Sequence, residues 1–126
     1  VTVNASTPAF PEETHPYWEA AREGRLLVKH CRSCSRNHHY PRSLCPHCLS
    51  AETEWRVSSG RGTVYSFTGT SEGSESRILA FVTLEEEVVI LTHIVGCALD
   101  QASIGMKVEV IFEELQGVFA PVFRPC

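Results

Sequence analysis

No stretch of this 126-residue chain approaches the roughly 18 to 20 apolar residues that a bilayer-spanning helix requires. The start lacks the basic, then apolar, then small-residue order of a signal peptide, and it opens on Val rather than Met. No segment repeats and none is of low complexity. A phosphate-binding loop, a zinc-protease helix and a Ser-His-Asp set are also missing, so hydrolytic and nucleotide chemistry have no signature. No membrane partner is expected. Disulfides are not expected either. A metal-thiolate site, for which the cysteine spacing argues, suits a reducing compartment, and the expected location is the cytoplasm.

What the chain does have is two C-x2-C pairs, Cys31/Cys34 and Cys45/Cys48, with ten residues between them. Each pair can fold as a tight knuckle that presents two thiolates to one ion, and two knuckles complete a tetrahedral four-sulfur shell that suits zinc. One such pair could equally be a redox dithiol; two at this spacing argue for metal. Four protein ligands leave no open position for water or substrate, so one structural zinc per chain is expected. His30, His38, His39 and His47 are read as exposed or supporting groups, since four cysteines already fill the shell. Cys97 and Cys126 are read as a small core residue and a terminal thiol.

Around this centre the sequence predicts a mainly β chain. Residues 1–24 read as an arm with Pro8 and Pro11, then a helix with Thr14 or His15 as cap, Pro16 in its first turn and Gly24 at its stop. Tyr17, Trp18 and Ala21 share one face of that helix. Residues 25–54 read as the zinc ribbon, entered by a short strand from Leu26 to Lys29. Residues 55–126 alternate with period two in five runs: 63–70, 78–84, 88–95, 107–113 and 119–123. Ile78, Ala80, Val82 and Leu84 fall on one face. A single helical turn is expected over 99–103. Five antiparallel strands with that insertion are what an OB-fold barrel needs. The aromatics Tyr65, Phe67, Phe81, Phe112, Phe119 and Phe123 fall at positions compatible with its core, and Glu85-Glu86-Glu87 reads as a solvated hairpin turn.

Net charge is -4, unevenly placed. Arg22, Arg25, Lys29, Arg32, Arg36 and Arg42 crowd one segment with Glu23 as its only acid, while the remainder is acidic. The basic segment points to a phosphate-bearing ligand or an acidic partner, or simply offsets the charge of a four-thiolate centre. An OB barrel with a basic ribbon could also bind single-stranded nucleic acid, but the barrel segment is acidic. Cys97 as a nucleophile would need His93 as its base. An offset of four on a strand separates them by about 13 Å. No catalytic set emerges.

Several stretches resemble one family. They are Pro16-Tyr17-Trp18-Glu19-Ala20, Gly24-Arg25-Leu26, the four cysteines with Pro41-Arg42 between the pairs, and Trp55. They continue with Gly60-Arg61-Gly62-Thr63-Val64-Tyr65-Ser66-Phe67-Thr68, Ile104-Gly105-Met106, Val108-Glu109-Val110 and Pro121-Val122-Phe123-Arg124-Pro125. Together they resemble the acyl-CoA-associated family with an N-terminal helix, a rubredoxin-like zinc ribbon and a C-terminal OB-fold. Its members accompany thiolases, 3-hydroxy-3-methylglutaryl-CoA synthase and steroid side-chain aldolases, and the domain also occurs fused behind a hydratase-like domain. The resemblance implies a non-catalytic subunit of a thiolase-fold enzyme, in a heterotetramer, sharing acyl-CoA as a ligand in steroid side-chain or other lipid degradation. It places partner or CoA contacts at Tyr17, Trp18, Arg32, Arg36, Arg42 and Arg61. The family often has Gly where this chain has Glu85-Glu86-Glu87, which leaves the register of that hairpin open.

Overall fold

A computed structural model describes residues 11–72 and 75–126; of the expected arm, only Pro11 lies within them. A 3-10 turn (Glu12–Thr14) runs into helix α1 (His15–Arg22). Thr14 occupies the cap position, but its hydroxyl donates back to the Pro11 carbonyl at 2.9 Å. Pro16 sits in the first turn, where the missing N–H costs no helix bond. Gly24, at φ +81°, reverses the chain, a conformation that glycine adopts without steric cost. The helix buries Tyr17, Ala20 and Ala21, while Trp18 is half-buried.

Three short strands follow: β1 (Leu27–Cys31), β2 (Asn37–His38) and β3 (Thr53–Val57). They form an antiparallel sheet in the order β2-β1-β3. Lys29 on β1 stands 4.3 Å over the ring of Trp55 on β3, a cation–π contact that staples the pair. β3 straddles the expected division at residue 54.

The second sheet closes on itself. Its strands are β4 (Arg61–Glu72), β5 (Glu75–Leu84), β6 (Val89–Ile94), β7 (Lys107–Leu115) and β8 (Val118–Pro125), in the order β4-β5-β6-β8-β7. A 3-10 turn at Leu99–Gln101 falls between β6 and β7, where one helical turn is expected. The barrel is not wholly antiparallel. β6 and β8 run parallel and share one register pair, Ile94 with Phe123, reinforced by the Val95 N–H donating to the Phe123 carbonyl at 2.8 Å. The reason is topological: β7 intervenes, so β8 returns beside β6 in the same direction.

Alternation fixes the core. Ile78, Ala80, Val82 and Leu84 are all buried, as expected, and pack with Val64, Ile90, Ile94, Val108 and Phe123. The aromatics divide differently from the expectation. Phe123 is fully buried, Phe67 and Phe112 pack partly against the core, and Tyr65 and Phe81 are exposed. Tyr65 and Phe67 have the same parity, but the pairing shifts between them. Val64 stands opposite Val82 and Ser66 opposite Phe81, so Tyr65 is an extra, bulged residue. The bulge inverts the alternation, turning Phe67 inward and Tyr65 outward. Phe81 lies out of phase with the buried residues of its own strand.

The turn after β5 is not simply solvated. Glu87 adopts φ 64°, and the Leu84 N–H donates to the Val88 carbonyl at 2.8 Å, closing a three-residue hairpin loop whose register continues that of β5 and β6. The Glu86 carboxylate accepts from the Ser58 hydroxyl at 2.5 Å and from the Ser59 N–H at 2.9 Å, and its carbonyl accepts from the Asn37 amide at 2.9 Å. Ser58 and Ser59 join ribbon to barrel, and Asn37 is on β2. This acidic turn therefore clamps the two parts together.

Candidate metal centre and contact surfaces

The two cysteine pairs fold alike. In the first, the Ser35 N–H donates to the Cys31 carbonyl at 2.9 Å, and the Cys31 N–H to the Arg36 carbonyl at 2.9 Å. In the second, the Leu49 N–H donates to the Cys45 carbonyl at 2.8 Å, and the Cys45 N–H to the Ser50 carbonyl at 2.9 Å. Ser35 and Leu49 take positive φ, 62° and 65°. Each knuckle thus turns its two sulfurs inward, and the four Sγ atoms lie within 4.8 Å of one another. Cys31–Cys48 and Cys34–Cys45 are 3.6 and 3.7 Å apart. Tetrahedral Zn–S bonds of about 2.3 Å require sulfur separations of about 3.8 Å, so the donor set fits one structural zinc.

The protonation balance points the same way. The Cys31 thiol is pulled down to about 6, chiefly by the backbone N–H of Cys34. At Cys48 the Ser50 N–H acts downward, but burial and the other three thiols push it up to about 12. The knuckle N–H groups therefore favour thiolates, while crowding opposes charging the whole set without a cation. Bound zinc deprotonates such ligands outright. Among the described residues, these four cysteines are the only group of three or more His, Cys, Asp or Glu donors close enough for one ion.

The histidines stay outside the shell, though not all as expected. His47 is exposed, and His30 Nδ1 shares a 2.7 Å hydrogen bond with the Asn37 side-chain oxygen. His38, however, is buried at 4% exposure, and neither ring nitrogen has a protein partner. It lines a cavity of about 270 Å³ with Pro46, His47, Glu87 and Val89, where the ribbon tip meets the start of β6.

Helix and ribbon tip meet through aromatic rings. The Tyr17 hydroxyl and His39 Nε2 share a 3.0 Å hydrogen bond, and Trp18 Nε1 donates to the Tyr40 hydroxyl at 3.3 Å. The Tyr17 and Trp18 rings meet edge-on at 4.9 Å. Tyr17 is only 3% exposed, so its ring belongs to this chain's own core and offers no open face. Burial, then the neighbouring His38, hold the His39 ring down to about 4. A depressed histidine keeps its full stability contribution above its unfolded value near 6.5 and loses it as pH falls toward 4. The expected loss across that window is about 3 kcal/mol. Denaturant melts of wild type and His39→Phe from pH 7 to 4 check this. Acid release of metal affects both proteins, so a smaller pH-dependent loss in the variant isolates the histidine.

The arginines do not gather at one point. Arg32 pairs with Glu52 at 2.9 Å on the ribbon surface, a contact worth little by itself. Arg36 and Arg42 are exposed on ribbon loops. Arg61 lines a cleft of about 470 Å³ at one end of the barrel with Lys107, Glu85 and Glu109. Cys97 is partly buried against the core, and its thiol lies 3.3 Å from the Ala98 carbonyl, while His93 is exposed on the outward face of β6.

Comparison with known proteins places both parts. Residues 18–54 match the family model described as ChsH2, rubredoxin-like zinc ribbon domain, and residues 55–113 match ChsH2, C-terminal OB-fold domain. A probable enoyl-CoA hydratase alpha subunit of Thermomonospora curvata is 32% identical over 124 residues; the match covers 94% of this chain but 39% of that protein. A DUF35 domain-containing scaffold protein of Methanothermobacter thermautotrophicus is 30% identical over 98 residues, covering 72% of this chain and 74% of that protein. Among solved structures, a chain of the Ltp2-ChsH2(DUF35) aldolase superposes with a TM-score of 0.82 at 32% identity, covering 94% of this chain and 98% of that one.

Proposed function

Since the chain belongs to the DUF35 family of ChsH2-type zinc-ribbon and OB-fold proteins, we propose that it is a non-catalytic accessory subunit of a thiolase-fold enzyme acting on acyl-CoA. The observation that carries this reading is the likeness to the Ltp2-ChsH2(DUF35) aldolase across nearly the whole of that chain. The scaffold-protein relative supports a role in assembly. The closed four-sulfur centre supports it too, because zinc with four protein ligands has no free position at which to polarise a substrate. In this reading the ribbon is a folded prop. Its arginines Arg32, Arg36 and Arg42, with Arg61 and the half-buried Trp18, meet an acidic partner surface or the phosphates of CoA. Tyr17 contributes from behind by fixing the helix to the ribbon. The assembly would be a heterotetramer in lipid or steroid side-chain degradation, with the CoA thioester shared.

Co-expression with the thiolase-fold subunit encoded in the same genome tests this. The two chains should co-elute with zinc, and acyl-CoA turnover should require the enzyme and rise when this chain is present. Turnover by this chain alone, or no association, would sink the proposal. One observation favours a second reading: Tyr65 and Phe81 point outward on the barrel, where an OB-fold could stack bases. Anisotropy with single-stranded DNA at low and moderate salt decides it; micromolar binding with a steep salt slope would support a nucleic-acid module.

A further inference from the structure

We infer that the outward face of β4, β5 and β6 is the seat of the enzyme partner, received by an apolar concavity with an acidic lip; this rests on the accessory-subunit reading above. The face is built from register. Leu91 on β6 stands beside Phe81 on β5, with the bulged Tyr65 and Ser66 of β4 on the other side. Leu79 and Val89 extend the strip along the next rows. The five apolar side chains, Tyr65, Leu79, Phe81, Val89 and Leu91, are between 39% and 66% exposed. Together they present apolar surface on the order of 500 Å², near the top of the range for the largest patch on a monomer.

Three features select the occupant. β6 carries apolar residues on both faces, Ile90 and Ile94 inward with Thr92 between them, and Val89 and Leu91 outward before His93. A strand with that pattern is normally covered on both sides. Charge is the second feature. The polar residues within the strip are the uncharged Thr63, Ser66, Thr68 and Thr83, and its far end carries Arg77 and His93, both exposed. Arg77 has no ion-pair partner among the described residues. An acidic lip on the partner would meet it. Third, a stable interface needs about 800 Å² from each side. A second copy of this convex face would touch it only along the crest, whereas a concave partner gains the missing area on the flanks. Three of the five side chains are aliphatic and cannot stack on bases, which favours protein over nucleic acid.

The test uses the full chain with its thiolase-fold subunit. Phe81→Asp and Leu91→Asp, each compared with wild type for zinc content and melting temperature, should weaken co-elution by roughly 30-fold or more. Leu91→Ser gives the same reading if either charged variant fails to fold. Undiminished binding by folded variants overturns the inference and leaves the accessory role standing. Failure of the wild type to associate overturns both. The inference also falls if sedimentation shows the free chain as a dimer that the variants dissociate, with enzyme binding intact. Loss of oligo-dT binding, again with enzyme binding intact, would overturn it in favour of nucleic acid.

Discussion

Cys31→Ser is expected to reduce the zinc content from one per chain to near zero and to unfold the ribbon while the barrel persists. Cys31 is fully buried and bonds through its own backbone to both ends of its knuckle. The Glu86 clamp and the helix rings hold the base and tip of the ribbon, but the two knuckles have little besides the metal to hold them to each other. β2 is two residues long, and Leu27 and Val28 are the buried aliphatic residues of its sheet. Structural zinc contributes about 10 to 16 kcal/mol of apparent binding energy in isolated fingers, far more than such a sheet can supply. Metal analysis with limited proteolysis is the measurement, and cleavage should concentrate between residues 32 and 52. Chelation of the wild type should give the same cleavage pattern. A folded wild type without metal, or a variant with full zinc, would refute the assignment.

Phe123→Ala is expected to do the reverse, costing about 3 to 5 kcal/mol of barrel stability while leaving the metal in place. The ring is fully buried in the main core, and the same residue supplies the single register pair closing β6 on β8. Truncation leaves a void at the one place where the barrel has no ladder to spare. The melting temperature should fall by about 10 °C or more. Zinc content at a temperature where the variant is folded should remain one per chain. A shift of only a degree or two would mean that the closure depends on other contacts. Opposite signatures from the two substitutions would establish that ribbon and barrel are stabilised separately.

The parts legible in the sequence were those set by local chemistry. Four thiols at fixed spacing announce a tetrahedral site because a knuckle needs only its own residues. Strand β5 was legible because its buried residues alternate without interruption. What escaped depends on long-range pairing or on a broken pattern. The parallel contact of β6 with β8 brings together residues almost thirty positions apart. The bulge at Tyr65 cannot be seen without its partner strand, so Tyr65 and Phe67 read as equivalent. Glu86 looked like a solvent-facing carboxylate because its partners Ser58 and Asn37 lie far away in sequence. His38, read as exposed or supporting, proved buried because β2 turns it beneath the ribbon tip. The positive φ at Ser35 and Leu49 carried no glycine to mark it.

The bulge also sets which changes of chain length β4 can absorb. Val64 and Ser66 face consecutive residues of β5, so Tyr65 is spliced into a strand whose inward pattern is complete on either side of it. Excising Tyr65 would leave Val64 and Phe67 pointing inward and the ladder unbroken. Excising Thr68 instead would invert every later position of the strand. Tyr65 is thus not needed for the inward pattern of β4; what the extra residue adds is the local bend and twist of a bulged strand and a ring outside the barrel.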